Sequence, residues 1–228
     1  MKTPWICLCS PEYRPLYERH FLPSFEAVRG DIDFNLHVLP LPNTSAGWAT
    51  PDWNRHRLTA LKTVRALMGM FKQAYDNRMV VSGVDFRFYE MPLFSERQRN
   101  CAILAAEDRA GVVCSDVIFV RLDKITFRFF DAWISVCELG GYSDDQIALN
   151  AVKSMMNSDD FGILPETYWT AGLRGLTRCP WEPGDFVPEP PEGIIMHHAN
   201  FTVGVANKLA LLDAVKAKID ARNGGNAP

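Results

Sequence analysis

Ile194-Ile195-Met196-His197-His198-Ala199-Asn200-Phe201-Thr202-Val203-Gly204-Val205-Ala206-Asn207-Lys208 changes character three times along its length. Ile194 to Met196 is a continuous apolar run, the pattern of a strand buried on both faces. Polar groups stand at its end and Gly204 offers a turn. Lys208 then opens an amphipathic helix in which Leu209, Leu212, Val215 and Ile219 recur at spacings of three and four. A strand that feeds a helix through a glycine turn is half of an α/β unit. Met79-Val80-Val81-Ser82-Gly83-Val84-Asp85 is a second apolar strand, and it ends on a carboxylate.

Outward from these two segments the same alternation continues. Trp5 to Cys9 and Asn35 to Leu39 read as strands, and Tyr13 to Val28 as a helix interrupted near Pro23. Arg55 to Phe71 is a helix with Leu61, Val64, Met68 and Phe71 as its apolar stripe. Cys101 to Ala105 and Asp116 to Val120 are further strands, and Phe127 to Leu139 and Ser143 to Met156 further helices. Pro40 to Asp52 and Cys179 to Gly193 are proline-rich loops. The pattern predicts an α/β fold: a single Rossmann-like domain over residues 1–222, with a mainly parallel central sheet flanked by helices and a frayed tail over 223–228.

Bulk properties narrow the function. The chain has 228 residues, 47% hydrophobic and 22% charged, with net charge -3. Nothing in that balance favours nucleic acid as a partner. No stretch reaches the roughly 18 apolar residues of a membrane span, and charges follow the first strand too soon for a secretory leader. The six cysteines lack CxxC spacing, which argues against a cysteine-built zinc site and for free thiols in a reducing, cytoplasmic setting.

Each polar group has a functional and a plainer reading. Asp85 stands beyond the carboxyl end of a strand, where α/β proteins bind ligands, and its hard oxygens suit magnesium or manganese. It also reads as a solvated turn residue. Of His197 and His198, strand alternation turns only one toward a given face, as a metal ligand or a hydrogen-bonded core group. Asn200 could support such a ligand from behind. Lys208 at a helix start suits a phosphate, or snorkels to the surface. Gly204 permits a close backbone approach, or only makes the turn. Ser143 with Gln146 forms a capping box, and Asp144 and Asp145 suit the helix dipole. The functional reading instead places Asp145 and Gln146 beside a sugar ring, with Asn150 on the same face. Arg55 and Lys62 occupy another side of their helix. Imidazole and carboxylate at two strand ends, with a nearby lysine, suggest a divalent cation carrying a nucleotide diphosphate.

Val81-Ser82-Gly83-Val84-Asp85-Phe86-Arg87-Phe88-Tyr89, Asp144-Asp145-Gln146-Ile147-Ala148-Leu149-Asn150 and the His197 to Lys208 block, in this order and spacing, resemble the nucleotide-diphospho-sugar transferase family of GT-A glycosyltransferases. The resemblance implies a sugar-nucleotide donor, a divalent metal (manganese first, magnesium second) and a DxD motif. The motif's second aspartate falls on Asp85, a metal ligand; its first falls on Gly83, which has no side chain to offer. The family's C-terminal histidine falls on His198, with His197 as competitor. Lys208, with Gly204, Asn200 and Lys62, would serve the donor and its phosphates, and Asp145 and Gln146 the transferred sugar. The acceptor implied is a hydroxyl on a glycan or lipid-linked glycan, as in polysaccharide biosynthesis, with peripheral membrane association and retention of configuration. The departure at Gly83 keeps a rival in view, a non-catalytic sugar-nucleotide-binding module. A nucleotidyltransferase ranks third, because Ser10-Pro11-Glu12-Tyr13-Arg14 lacks a glycine-rich phosphate loop. Trp48 and Trp53 could stack on a base or sugar, and the proline-rich loop with Trp181 could cover the acceptor side; ordinary surface anchoring is the plainer reading of each.

Overall fold

The computed structural model describes residues 3–29, 34–41, 51–74, 77–91, 100–140, 144–171 and 180–224. Nine strands and five helical segments fall within them. Six strands form the central sheet, in the order β2 (Phe34–Pro40), β1 (Thr3–Cys9), β3 (Arg78–Ser82), β6 (Val112–Arg121), β5 (Ile103–Arg109), β7 (Phe161–Ile163). β1 is parallel to β2 and β3, and β5 is parallel to β7. β6 runs against both of its neighbours. The sheet is therefore mostly parallel, as expected, with one reversed strand. Both β5 and β6 are longer than the apolar runs suggested, because they form a hairpin through a turn at Gly111, whose φ is +80°.

Alternation splits the core in two. Ile6, Met79, Val81 and Ile118 pack on one face of the sheet beneath α2 (Pro51–Ala74), α3 (Lys124–Glu138) and α4 (Asp145–Lys153). Trp5, Cys7, Val80 and Phe119 pack on the other, beneath α1 (residues 11–28) and α5 (Val205–Gly224). Trp5 is the hub there. It meets Phe25, Phe88 and Phe119 edge-on at 5.1, 5.4 and 5.8 Å, and its indole N–H donates to Ser82 Oγ at 2.8 Å.

α1 is not broken at Pro23. It passes through a π turn, Tyr17–Phe21, immediately before Leu22–Val28. Proline lacks the N–H that would bond the carbonyl of Arg19, and its ring would press on that carbonyl; widening the preceding turn relieves both. Ser24 Oγ donates to the carbonyl of His20 at 2.5 Å and accepts from the Phe88 N–H at 3.0 Å, tying the helix to a second sheet.

That sheet has three strands, β4 (Phe86–Phe88), β9 (Met196–His198) and β8 (Tyr168–Thr170), with β9 central. The strand expected at Ile194 to Met196 thus lies two residues later, and both histidines are inside it. α5 begins at Val205, three residues before Lys208, and runs to Gly224, so Asn223 and Gly224 belong to the helix; 225–228 lie outside the described residues, as does Trp48. Among the described residues no helix is long and apolar enough to cross a membrane.

Candidate functional site

The two sheets meet at the end of β3, where the chain passes from Ser82 through Gly83 to Asp85 and on into β4. The Asp85 carbonyl accepts from the Ala199 N–H at 2.9 Å, locking this turn to the end of β9. Pairing of Phe86 with His198 and of Arg87 with His197 then fixes which histidine faces the turn. His198 lies on the site side, its ring stacked on Phe86 at 4.3 Å. His197 points to the other face, against Trp169 at 5.0 Å. The structure thereby separates the two histidines that the sequence left open.

Asp85 is buried between two basic groups. Lys208 Nζ donates to Asp85 Oδ2 at 2.5 Å and to the Ala199 carbonyl at 2.8 Å. His198 Nε2 lies 3.3 Å from the same Oδ2. Burial alone would raise the pKa of Asp85, but the charges of Lys208 and His198 hold it far below the carboxylate range. Burial pulls Lys208 and His198 down, and Asp85 more than offsets this, so both sit above their ordinary values. The snorkelling reading of Lys208 is thus replaced by a buried ammonium.

Asp116 supplies a carboxylate that the sequence reading missed. The Gly83 N–H donates to the Asp116 carbonyl at 2.9 Å across the β3–β6 pairing. Asp116 Oδ2 lies 3.6 Å from His198 Nε2. A Cβ at Gly83 would stand 3.1 Å from Asp85 Oδ1 and 4.0 Å from Asp116 Oδ1. A side chain at 83 would thus press on Asp85 first, with the Asp116 carboxylate beside it from the neighbouring strand. Asp85, Asp116 and His198 have ligand atoms within 4.8 Å of one another. His198 Nε2 is buried between the two carboxylates, and a nitrogen and two carboxylate groups converging on one point fit a hard divalent cation.

Arg57, also missed, ties this group to α4. Its guanidinium donates to Asp116 Oδ1 at 2.9 Å and to Asp145 Oδ2 through two nitrogens, at 2.9 and 3.1 Å. Asp145 is buried in this pair, and its carbonyl accepts from the Trp133 indole at 2.8 Å. Asp144 caps the helix, its carboxylate accepting from the Ile147 N–H at 2.6 Å; Ser143, expected in a capping box, lies outside the described residues. Gln146 donates to Asp108 Oδ2 at 2.7 Å. The other oxygen of Asp108 accepts from Asn200 Nδ2, and Asn200 Oδ1 accepts from Thr170. Burial raises the pKa of Asp108. One unforeseen carboxylate thus orients two of the predicted amides. Asn150 bonds the backbone of Val113 at 2.9 Å in both directions and so pins α4 to β6.

The remaining predicted residues lie elsewhere or play plainer parts. Lys62 is half exposed and pairs with Glu138 on α3 at 2.6 Å, away from the cluster. Gly204, with φ +84°, precedes α5 and its carbonyl accepts from the Lys208 N–H at 3.1 Å; it shapes the turn that presents Lys208. Arg55 pairs with Asp52 in solvent. Trp53 lies near Arg57, whose guanidinium carbon is 5.9 Å from its ring. Trp181 is a core residue, its carbonyl bonded by the Thr202 hydroxyl at 2.7 Å.

No protein-family model and no curated protein sequence matches this chain. Among solved structures it is similar to a glycosyltransferase involved in the glycosylation of the major capsid of PBCV-1. The match has a TM-score of 0.60 and 9% identity, and covers 92% of this chain and 99% of that one. At that identity the likeness shows a shared fold: an α/β architecture with a mostly parallel sheet flanked by helices.

Proposed function

We propose that the chain is a glycosyltransferase of the GT-A type that moves a sugar from a nucleotide-diphosphate donor to a hydroxyl acceptor. The observation that carries the proposal is the convergence of Asp85, Asp116, His198 and Lys208 at the end of β3, in a fold shared with a glycosyltransferase. Asp85, Asp116 and His198 would hold manganese or magnesium, which when bound supplies Lewis-acid neutralisation of a diphosphate. Lys208 would turn its ammonium from Asp85 toward that diphosphate. Its burial makes this charge worth more than it would be in water, where charge grows on the leaving group. Asp145 and Gln146, held by Arg57 and Asp108, would line the donor sugar and set its orientation. The glycosidic C–O bond breaks, its electron pair passes to the leaving diphosphate, and the acceptor oxygen bonds the anomeric carbon. The acceptor proton goes to the leaving phosphate oxygen, with retention of configuration. A glycan or lipid-linked glycan acceptor, met in the cytoplasm or at a membrane surface, completes the reading.

The Asp116 carboxylate, brought beside Gly83 and within reach of His198, favours this over a non-catalytic binding module. The departure at Gly83 removes a carboxylate from the sequence motif and not from the site.

The test is thermal denaturation against a panel of sugar nucleotides and nucleoside diphosphates, each with and without manganese. Stabilisation that needs both one nucleotide and the metal is expected, about 2.7 kcal/mol at a hundredfold excess over Kd. It should vanish in Asp116→Asn. No shift with any pair overturns the proposal. Donor binding without transfer or hydrolysis across a broad acceptor panel returns the module.

A further inference from the structure

His198 faces carboxylates with one ring nitrogen and a thiol with the other. Cys114 Sγ lies 3.6 Å from His198 Nδ1, and both are buried. Asp108 completes a group whose ligand atoms all lie within 4.8 Å of one another. Zinc bonds of about 2.0 Å to nitrogen and 2.3 Å to sulfur, at a tetrahedral angle, would put those two atoms about 3.5 Å apart. The observed spacing matches that geometry before any ion arrives.

Sulfur sets the class of ligand. Thiolate, imidazole and carboxylate together suit zinc, whereas Asp85 and Asp116 with the other ring nitrogen offer only oxygen and nitrogen and suit a harder ion. The sequence contains no cysteine pair at zinc spacing, but this group needs only one cysteine. We propose that Asp108, Cys114 and Nδ1 of His198 form a second divalent-cation site of zinc class, back to back with the first and sharing its imidazole.

The ion would replace the present hydrogen bond between Cys114 Sγ and His198 Nδ1, while Asp108 can serve without releasing its partners. Asp108 holds Gln146 and Asn200 through one lone pair on each oxygen and keeps another on each. On binding, the Cys114 S–H bond breaks, the proton leaves to solvent and sulfur bonds the ion; nothing is oxidised or reduced.

A consequence follows for the shared ring. Neutral imidazole has a single lone pair. Once Nδ1 ligates, the ring proton must sit on Nε2, which then meets Asp85 and Asp116 as a hydrogen-bond donor and no longer as a ligand. Zinc at Cys114 therefore weakens the harder cation at Asp85 without occupying its place. The thiolate site stands on its own geometry; only its effect on catalysis rests on the glycosyl-transfer reading.

Cobalt(II) is the probe, titrated into the metal-free full chain under anaerobic conditions. A near-ultraviolet sulfur-to-cobalt charge-transfer band is expected. Zinc should displace it, Cys114→Ser should abolish it, and Asp116→Asn should retain it. Cys114→Ala, checked by thermal melting for an intact fold, serves as a second variant. No band in the wild-type chain, or a band that persists in both Cys114 variants, overturns the site. Manganese binding, followed by its free-ion resonance signal, should weaken at least about tenfold when one equivalent of zinc is present, the scale on which metal sites respond to disturbed ligands. This weakening should be absent in Cys114→Ser. Manganese affinity indifferent to zinc overturns the shared-ring coupling. The cobalt band needs neither manganese nor sugar nucleotide, so its failure and the failure of glycosyl transfer are separate results.

Discussion

The three-stranded sheet has two faces, and β9 presents one buried histidine to each. On the face of His198 stand Asp85, Asp116, Cys114 and, beyond Asp85, Lys208. On the face of His197 stand Trp169 and the neighbouring Arg87, and neither ring nitrogen has a hydrogen-bond partner among the described residues. Burial penalises the charged form of both rings. It prevails at His197, whose pKa falls to about 3, with the nearby His198 pushing the same way. It is overridden at His198 by Asp85. Equal burial thus gives opposite protonation behaviour, and the carboxylates decide which face can do chemistry.

The largest expected break in this contrast is Asp85→Ala. It takes the counter-charge from Lys208 and His198 together. On the proposed function, glycosyl transfer should fall at least about a thousandfold, roughly 4 kcal/mol of barrier. Unfolding free energy should fall by about 3–5 kcal/mol, because a buried ammonium loses its partner. Transfer rates and denaturant melts of the same preparation measure both, and a full-rate variant would remove Asp85 from the site.

Arg57→Ala comes next. It leaves Asp145 buried without its cation, at a cost of about 3 kcal/mol by chemical denaturation. Arg57→Lys should recover only part, since an ammonium cannot reproduce the forked guanidinium contact to Asp145 while also reaching Asp116. Equal stability of the Lys variant and the parent would show that charge alone matters there.

His197 gives a smaller, pH-dependent signal. Its folded pKa of about 3 lies below the unfolded value near 6.5, so the unfolded chain binds its proton first. Its contribution is full above about pH 6.5 and is lost as pH falls toward 3, by about 1.4 kcal/mol per unit. His20, lowered to about 4 by burial, adds to the same acid limb. His197→Phe should flatten the limb by the His197 share; an unchanged slope in urea melts across this range would refute the assignment. Lys62→Ala should be smallest, within about 1 kcal/mol for an exposed pair, with transfer unaffected. A tenfold loss of donor affinity would bring Lys62 back to the site.

What the sequence made legible follows the same division. Asp85, His198 and Lys208 could be found because each ends or begins an element whose apolar pattern is local. The existence of α5 and of the strand preceding Gly83 follows from the same periodicity, whereas α5 runs past its last apolar position to Gly224. Asp116, Asp108 and Cys114 could not be found that way. They reach the site through the β5–β6 hairpin, and the reversed direction of β6 leaves no local mark beyond Gly111 between two alternating runs. Arg57 was passed over because a helix pattern shows which side is apolar and not which polar residue meets a partner from another strand. Pro23 was read as an interruption, and the chain answered with a wider turn.

Asp116 comes alongside Gly83 by lateral pairing and not by succession along the chain. Sliding β6 by one residue against β3 would send that carboxylate through to the opposite side of the sheet. On the proposed reading, cation affinity at Asp85 becomes a gauge of strand alignment. A misaligned fold could keep its helices, its core composition and its spectroscopic secondary structure and still fail to hold the ion. Metal uptake during refolding would time the moment at which these two strands find their correct partners.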